Sequence, residues 1–317
     1  MSLSVVIPSY NQCGQVTACL DALSTLEIDT EIIVVNGPST DGTSGVVRER
    51  DDVDCLLECS SRNLNVARNA GLSEASEHFV ALLSPRYQVT EKWAHAIQET
   101  LAGGVDAASG PATPSSEDET KGIEDTPNAD GLAINGGNLA LTRGAITALD
   151  GFDEYLDLGG ARDLGQRLRG TGLQFVWHPG MRVEPVSDDI ELPPVHAAVP
   201  PAGWQDHRDP GWGVIYRSRS YLRVKNQGIR PAVIGGIAMI ALRDGATAAS
   251  EVIDGNASPS AWFGNGSRVL KNVIIGMKKG RTARRADRTT ARNPHGLSRS
   301  RDEKIADRVD HRGVSKS

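Results

Sequence analysis

The sequence predicts an α/β fold built on a mainly parallel central sheet with flanking helices. Short runs of β-forming residues alternate with amphipathic helical segments over the first 105 residues. The second run, Glu31–Val35, is continuously apolar, as strands covered on both faces are. Because β-α-β order implies parallel strands whose carboxyl ends share one edge of the sheet, we expect ligands to bind at that edge.

Each element of this first part has its own local signal. Val5-Val6-Ile7 marks the first strand, which we place at 4–8. Apolar residues at helical spacing mark the helix that follows, and Ser39-Thr40-Asp41 offers capping side chains for the next one. The other predicted strands cover 31–35, 54–58 and 79–83, and the predicted helices cover 15–25, 39–50, 65–76 and 90–101.

The rest of the chain is less regular. An acidic, Pro-rich stretch at 111–131 predicts a long loop, and the Pro-rich stretch at 193–211 predicts a connector. The last 40 residues, 278–317, lack apolar periodicity and are predicted to be a disordered basic tail. Between these come a strand-like segment at 132–143, helical or loop segments at 144–156 and 160–170, a strand pair at 173–184, helices at 212–227 and 231–253, and a short apolar segment ending at Met277.

Charge is unevenly distributed along the chain. The net charge is -6, yet the last 40 residues hold 13 Lys and Arg against 5 Asp and Glu, so that tail carries +8 and the remainder -14. The tail has either a polyanionic contact or a purely solvating role. It lacks interleaved aromatic residues and any recognisable nucleic-acid module, so we expect no nucleic-acid partner.

Sequence features also bear on location. The first ten residues have no basic leader pattern, and the longest apolar stretch, 232–242, is shorter than the roughly 20 residues that a spanning helix needs. We therefore expect a cytoplasmic protein, with contact at the inner face of the cell membrane left open. The C-x3-C spacing of Cys55 and Cys59 is a poor zinc signal without further ligands.

The first two strand ends carry groups suited to a nucleoside. No G-x-G-x-x-G and no G-x-x-x-x-G-K-[ST] follows a strand, so neither common phosphate-binding loop is present. Instead, Pro8, Tyr10 and Asn11 end the first strand and Asn36 ends the second. An aromatic face and amide groups at neighbouring strand ends predict a pocket in which Tyr10 and Asn36 form the walls.

Several segments together resemble a known family. They are "VVIPSYNQ", "EIIVVNGPSTDGT", "NVARNAG", "GGNLALTR" with "LDGFDEYL", and "GGARDLGQRLRGTG". In order and spacing they are similar to the family 2 glycosyltransferases of the GT-A, Rossmann-like fold, and the C-terminal segments resemble haloarchaeal members. The resemblance implies transfer of a sugar from a nucleotide-sugar to a glycan or lipid-linked acceptor. It also implies a nucleotide-sugar half at 1–110 and an acceptor half at 131–192, followed by a helical extension at 212–277.

The resemblance assigns further site residues. Pro8, Tyr10 and Asn11 match the first motif, and Arg68 with Asn69 fits a segment near the donor. Asn36 stands where the family usually has an Asp that contacts the base. Three residues, Gly136, Gly137 and Asn138, are expected on the acceptor side, with a tight strand turn as the alternative.

The strongest departure from the family lies at the fourth strand. Members usually end it with D-x-D, which holds Mg²⁺ or Mn²⁺ on the diphosphate, whereas this chain has Ser84-Pro85-Arg86. A divalent cation needs oxygen ligands, so the usual metal site is expected to be missing. Our hypothesis is that Arg86, with Arg68, replaces the metal, since guanidinium groups bind phosphate in forked pairs. The alternative is a solvated Arg86 in a protein that binds donor without transferring sugar.

The resemblance places the catalytic base at Asp163, in "GGARDLGQ". General-base catalysis would contribute about 10²–10⁴-fold. Alternatively, Asp163 only stabilises the first turn of its helix through the helix dipole. The helix at 212–227, with its tyrosines and arginines, is interpreted either as a surface for an anionic membrane or as a helix packed on the catalytic domain.

Overall fold

The computed structural model describes residues 2–112, 134–186, 211–253, 259–287, 293–299 and 304–311. Within these ranges one eight-stranded sheet forms the centre of the fold, beside a small two-stranded sheet. The strands are β1 Leu3–Ser9, β2 Thr30–Asn36, β3 Cys55–Cys59, β4 Phe79–Leu83, β5 Tyr87–Gln88, β6 Ala107–Ser109, β7 Asn138–Thr142, β8 Phe175–Trp177, β9 Glu184–Pro185 and β10 Ile305–Asp310. The helices are α1 Cys13–Leu23, α2 Thr43–Arg48, α3 Leu64–Glu74, α4 Glu91–Ala102, α5 Arg143–Leu149, α6 Gly160–Thr171, α7 Gly211–Gln227, α8 Pro231–Ile253 and α9 Pro259–Ala286.

The large sheet is mixed, with a parallel centre. Its order is β10-β3-β2-β1-β4-β7-β6-β8. Strands β3, β2, β1 and β4 run parallel to one another, whereas β7 is antiparallel to β4 and β10 is antiparallel to β3. The carboxyl ends of the parallel strands therefore meet the start of β7 at one edge, and the fold class predicted from the sequence is confirmed.

Helices cover both faces of this sheet. Alternate residues of β1 belong to different cores: Val5 and Ile7 pack with α1 and α4, whereas Val6 packs with α3 and α5. A strand with two buried faces is continuously apolar, which is the pattern that the sequence shows in β1 and β2.

Local capping chemistry sets several helix starts. The Asn63 side chain accepts hydrogen bonds from the backbone N–H groups of Asn65 and Val66 and so begins α3. Helix α2 differs from the expectation, because Gly42, with φ 89°, occupies its cap position in place of a Ser, Thr or Asp.

Two regions differ from the sequence-based expectations. The segment 173–184 does not form a strand pair, because β8 joins the large sheet beside β6 and β9 pairs with β5. The prediction of a disordered tail is wrong where the structure describes it, since 278–286 completes α9 and β10 extends the sheet. The acidic loop at 111–131 and the connector at 193–211 lie almost entirely outside the described residues.

The helical extension packs on the α/β domain through α7. Tyr216, Tyr221, Val224 and Lys225 of α7 are buried, and α9 packs along the same helix. This supports the packed-helix interpretation of 212–227. No described helix combines the length and apolar character that crossing a membrane requires.

Candidate nucleotide and acceptor site

The first two strand ends lie side by side, as the sequence predicts. Ser9 and Asn36 are register partners in the parallel β1–β2 pair. Beyond them, the backbone N–H of Gly37 donates to the Ser9 carbonyl at 2.7 Å, so the pairing continues into the loops. The loops that follow both strands therefore leave the sheet together.

Side chains join these two loops further. Asn11 has φ 51°, a left-handed conformation that Asn tolerates better than most residues. Its backbone N–H donates to Ser39 Oγ at 2.9 Å, and its Oδ1 accepts from the Thr40 N–H at 2.8 Å. Asn11 thus fixes the 37–43 loop against the end of β1.

Asp41 has the structural role that its position suggests. It accepts the backbone N–H of Cys13 at 2.8 Å, at the start of α1, and bonds to Thr43 with its other oxygen. Partial burial acts to raise the pKa of Asp41, but the hydrogen bonds from Thr43 and the backbone outweigh it, and the pKa is lowered.

The two predicted walls of the pocket are more internal than expected. Asn36 is fully buried; its Nδ2 donates to Ser44 Oγ at 2.8 Å and its Oδ1 accepts from Ser39 Oγ at 2.7 Å. Tyr10 is only 7% exposed, and the Arg62 guanidinium lies 5.4 Å from its ring centroid. The strand geometry holds, but in this conformation Asn36 orders the 37–44 loop instead of forming an open wall. Pro8 is likewise an internal β1 residue.

Arg68 reaches the start of β7 from helix α3. Its Nη2 donates to the Gly136 carbonyl at 2.6 Å and its Nη1 to Asn65 Oδ1 at 3.2 Å, while the guanidinium carbon lies 4.8 Å from the Phe152 ring centroid. The side chain is 7% exposed, its Nε has no hydrogen-bond partner, and within the described ranges it forms no ion pair. Burial lowers the pKa of Arg68 to about 10, so the group stays protonated at neutral pH.

The two glycines before β7 permit close approach of three elements. A Cβ on Gly136 would lie 2.8 Å from the Ala161 Cβ and 3.0 Å from Arg68 Nη2, and one on Gly137 would lie 2.9 Å from the Ser84 Cβ. Helix α6, helix α3 and the end of β4 therefore converge on this turn. Asn138 points inward instead: it is fully buried and bonded to Trp93 and Met181, which corrects the expectation that it lines the acceptor side.

The end of β4 carries no carboxylate. Ser84, Pro85 and Arg86 form the turn into β5, and the Arg86 carbonyl accepts from the Val186 N–H at 2.9 Å. Arg86 is partly exposed beside the buried Tyr87. Across the described residues, no group of three or more His, Cys, Asp and Glu is placed to hold a metal ion. This donor set does not fit a divalent cation at the position that the family resemblance implies.

Asn69 has an internal structural role. It is fully buried, its Nδ2 donates to the Phe152 carbonyl at 2.9 Å, and its Oδ1 accepts the Phe152 N–H at 2.7 Å. This double contact fixes the 152–154 turn against α3. In this conformation Asn69 therefore positions the segment that carries Asp153 and does not face a donor.

Asp163 lies inside a buried ion cluster. Lys225 Nζ lies 2.8 Å from Oδ1, and Arg167 Nε donates to Oδ2 at 2.8 Å. Neither the carboxylate nor its two cationic partners are exposed beyond 1%. Burial acts to raise the pKa of Asp163, but the charges of Lys225 and Arg167 outweigh it, and the pKa is lowered. This placement supports the structural alternative for Asp163, while the base role stays a prediction that requires one cation to move away.

Sequence reasoning missed the partners of this cluster. Lys225 also donates to Asp153 Oδ2 at 2.6 Å, and the Tyr221 hydroxyl donates to the same oxygen at 2.7 Å. Burial and the Asp153 carboxylate raise the pKa of Tyr221. The four-residue spacing of Tyr221 and Lys225 places both on one face of α7, which was the available signal, but nothing local indicates that two carboxylates from elsewhere would meet them.

The comparisons with known proteins agree with this geometry. Residues 4–146 match the family described as Glycosyl transferase family 2. Glycosyltransferase AglE of Haloferax volcanii is 29% identical over 116 residues, which cover 34% of this chain and 38% of the relative. Glycosyltransferase GlyA of Streptococcus pneumoniae is 32% identical over 85 residues, 26% of this chain and 12% of the relative. The matched regions thus span well under half of both curated relatives.

Solved structures show the same fold. Mannosyltransferase PcManGT from Pyrobaculum calidifontis, in complex with GDP-Man and Mn²⁺, has a TM-score of 0.51 at 16% identity, covering 90% of this chain and 88% of that chain. S. aureus TarS 1-349, in complex with UDP-GlcNAc, has a TM-score of 0.53 at 14% identity, covering 96% of this chain and 91% of that chain. The GT-A fold expected from the sequence is confirmed. The match to glycosyl transferase family 2 covers residues 4–146, which is less than half of the chain.

Proposed function

We propose that this chain is a glycosyltransferase that moves a sugar from a nucleotide-sugar donor to a lipid-linked or glycan acceptor. The proposal is supported by the family 2 match over 4–146 and by the fold shared with enzymes solved with GDP-Man and UDP-GlcNAc. It is further supported by the edge of the sheet, where the ends of β1, β2 and β4 meet the turn before β7. Ligands of parallel sheets bind at such an edge.

The observation that carries the proposal is the state of Arg68. A buried guanidinium without a carboxylate is unfavourable, because neither water nor an opposite charge compensates for its desolvation. Asp163 and Asp153 are already paired with cations. Within the described ranges Arg68 has no carboxylate partner, and its Nε has no hydrogen-bond partner. A donor diphosphate would supply the missing anion, and guanidinium groups bind phosphate oxygens in forked pairs.

Arg86 is the second proposed diphosphate contact. It lies three residues after the end of β4, in the turn where Ser84 donates its backbone N–H to the Gly137 carbonyl. Arg68 contacts the 136–137 turn from α3, and Arg86 belongs to the turn after β4 whose Ser84 contacts Gly137. As the glycosidic bond breaks, negative charge builds on the leaving diphosphate, and fixed cations at that point lower the barrier.

The proposed chemistry is independent of a metal at the β4 position. The resemblance implies Mg²⁺ or Mn²⁺ there, but Ser84, Pro85 and Arg86 offer no carboxylate to hold one. The acceptor hydroxyl must also lose a proton as the new bond forms. Asp163 remains the proposed base, and in that role its carboxylate would exchange Lys225 or Arg167 for the hydroxyl.

A second candidate function is a donor-binding protein that no longer transfers sugar. The occupied carboxylate of Asp163 and the absence of carboxylates after β4 favour this alternative. Both functions require a nucleotide-sugar to bind, so they differ in turnover alone.

One experiment separates these functions. Thermal unfolding is followed with UDP, GDP, UDP-sugars and GDP-sugars, with and without EDTA, because a ligand of the native state raises the melting temperature. Sugar release from the stabilising donor is then measured. Stabilisation with slow hydrolysis, both resistant to EDTA, supports the transferase; stabilisation without turnover across donors and acceptors supports the binding protein. No stabilisation by any nucleotide contradicts both.

A further inference from the structure

Helix α8 exposes an apolar outer face. Val233 and Ile237 turn inward and pack against Val224 of α7 and against α9. On the opposite side, Met239 is 69% exposed and Leu242 is 71% exposed. Apolar side chains of this size are normally exposed singly, so a continuous set on one helix face indicates a contact surface.

The face is continuous along four turns. Its residues recur at helical spacing and none of them is charged. Arg243 lies at the margin of the face. The residues that form it, here called the α8 face, are Pro231, Ala232, Ile234, Gly235, Ala238, Met239, Leu242 and Ala246.

Helix α9 presents a neighbouring face that is apolar and then basic. Leu270 and Ile274 are 64% and 46% exposed, and Lys278, Arg281 and Arg285 follow them at spacings of three or four residues on the same side. The side opposite them contains Gly276 and Gly280 and packs closely on α7. The basic part of this face therefore points away from the protein.

An open cavity lies beside the basic part of the α9 face. It has a volume of about 560 Å³ and lies where the last turns of α9 meet the α7–α8 junction. Its lining consists of Val224, Gly228, Ile229, Arg281, Arg284 and Arg285. Ile229 is 46% exposed and lies two residues before the α8 face begins. Arginine and apolar surface thus meet in one depression, which suits a phosphate headgroup with an acyl chain beside it.

The charge of the extension decides which partner fits this surface. Residues 211–286 hold 13 Lys and Arg against 3 Asp and Glu, and neither α7 nor α9 contains an acidic residue. A second copy of the same face would bring like charges together, whereas an anionic bilayer offers both opposite charge and hydrocarbon. The pattern of an apolar face bordered by Lys and Arg is that of helices that lie in the membrane interface.

We propose that the α8 face and the adjoining arginine-lined cavity dock this protein on an anionic phospholipid membrane. The α8 face enters the headgroup region with Met239 and Leu242, and Arg281 and Arg285 bind lipid phosphates at the cavity. The surface does not use Tyr216 and Tyr221 of α7, which are buried.

Vesicle flotation of the full chain tests the proposal. Vesicles of phosphatidylcholine alone are compared with vesicles that also contain phosphatidylglycerol, at low and high salt. We expect flotation with the anionic vesicles and little with the neutral ones. Arg281→Gln with Arg285→Gln should lower the partition coefficient roughly 30-fold, and Met239→Gln with Leu242→Gln by more than about tenfold.

The matched control removes two positive charges from the α/β domain. Lys92→Gln with Arg169→Gln changes exposed residues of α4 and α6 by the same charge and should leave flotation unchanged. All variants are checked by thermal unfolding, and the substituted side chains on α8 are exposed, so the fold should persist.

Three results would overturn the proposal. The first is no flotation of the unmodified chain with anionic vesicles at low salt. The second is a loss of flotation in the control variant equal to that in the arginine variant. The third is a chain that binds no vesicles but forms a concentration-dependent dimer in sedimentation, which Met239→Gln with Leu242→Gln abolishes. The last result would assign the α8 face to a second copy. Nucleotide binding is measured separately, so failure here leaves the proposed function standing.

Discussion

Lys225 Nζ lies 2.6 Å from Asp153 Oδ2, and both side chains are fully buried. The same ammonium contacts Asp163, whose other partner is Arg167. Two carboxylates and two cations therefore balance in one cluster, which joins α7 of the extension to the turn after α5 and to helix α6. The extension and the α/β domain should consequently unfold together.

Removing the shared cation should be strongly destabilising. Lys225→Met leaves two buried carboxylates with one cation, and breaking a buried pair in this way costs about 3–5 kcal/mol. Urea denaturation should show this loss in the free energy of unfolding. Lys92→Met, at an exposed position of α4, is the matched control and should change it little. Adding Asp153→Asn to Lys225→Met should restore part of the loss; strict additivity of the two changes would argue against a coupled cluster.

The cluster also predicts an acid dependence of stability. The folded-state pKa of Asp163 is lowered, so the unfolded chain takes up a proton more readily than the native one. The contribution of Asp163 is therefore fully present above its unfolded pKa of about 3.9, and it is lost as pH falls below that value toward the folded pKa.

Asp163→Asn isolates this contribution. Its stability should be lower than that of the unmodified chain at neutral pH, and the difference between the two should shrink as the medium is acidified. Denaturation curves collected from neutral pH down to about pH 3 measure this convergence. If the difference in stability between the two proteins were the same at every pH, the ionised Asp163 carboxylate would not be the source of that difference.

The two arginines near the 136–137 turn should control donor binding. Arg86→Met removes a partly exposed cation and should weaken the thermal stabilisation by nucleotide diphosphates, and Arg68→Lys should weaken it by loss of the forked geometry. Arg169→Met, on the exposed side of α6, is the matched control. Stabilisation that survives both changes, or activity that EDTA abolishes and manganese restores, would refute metal replacement by arginine.

The sheet was predictable because its signals are local. Continuous apolar runs identify β1 and β2, and their β-α-β order fixes parallel pairing, so the meeting of Ser9 and Asn36 follows from sequence. The end of β4 was identified correctly for the same reason, and with it the missing carboxylates.

The orientation of site side chains was not predictable in this way. Asn36 ends its strand as expected, and Asn138 lies within the segment predicted to be strand-like. Each of them finds partners inside the protein, Asn36 in Ser44 and Ser39 and Asn138 in Trp93 and Met181. Those partners come from other elements, so no local pattern reveals them. The tail was misjudged for a related reason: β10 is polar in sequence, because an edge strand buries only part of its side chains.

The turn before β7 should be intolerant of a single added methyl group. In Gly136→Ala, the new Cβ would lie 2.8 Å from that of Ala161 and 3.0 Å from Arg68 Nη2, so the turn or the guanidinium must move. We expect nucleotide affinity to fall about tenfold, with a smaller effect on stability. Titration calorimetry measures the change in affinity, with the nucleotide that most raises the melting temperature of the unmodified chain.

Gly144→Ala provides the comparison for that change. The nearest atom to its Cβ would be Thr142 Oγ1 at 3.8 Å, an ordinary contact, and helix α5 favours Ala over Gly. Its affinity should match that of the unmodified chain. Equal affinities for all three proteins would place the 136–137 turn outside the donor site.

Deleting residues 304–317 should expose the edge of the sheet. Strand β10 pairs with β3 from Ile305 opposite Cys59 to Asp310 opposite Cys55, and Lys304 adds an ion pair with Glu154. Without β10, the N–H and C=O groups along one side of β3 lose their partners and can pair with other chains. We expect a lower urea midpoint and light scattering that increases with protein concentration. Deleting only 312–317 keeps β10 and its pairing with β3, so it should change neither the urea midpoint nor the light scattering. A shortened chain that lacks β10 yet remains monomeric and as stable as the full one would show that β3 does not depend on this strand for its protection.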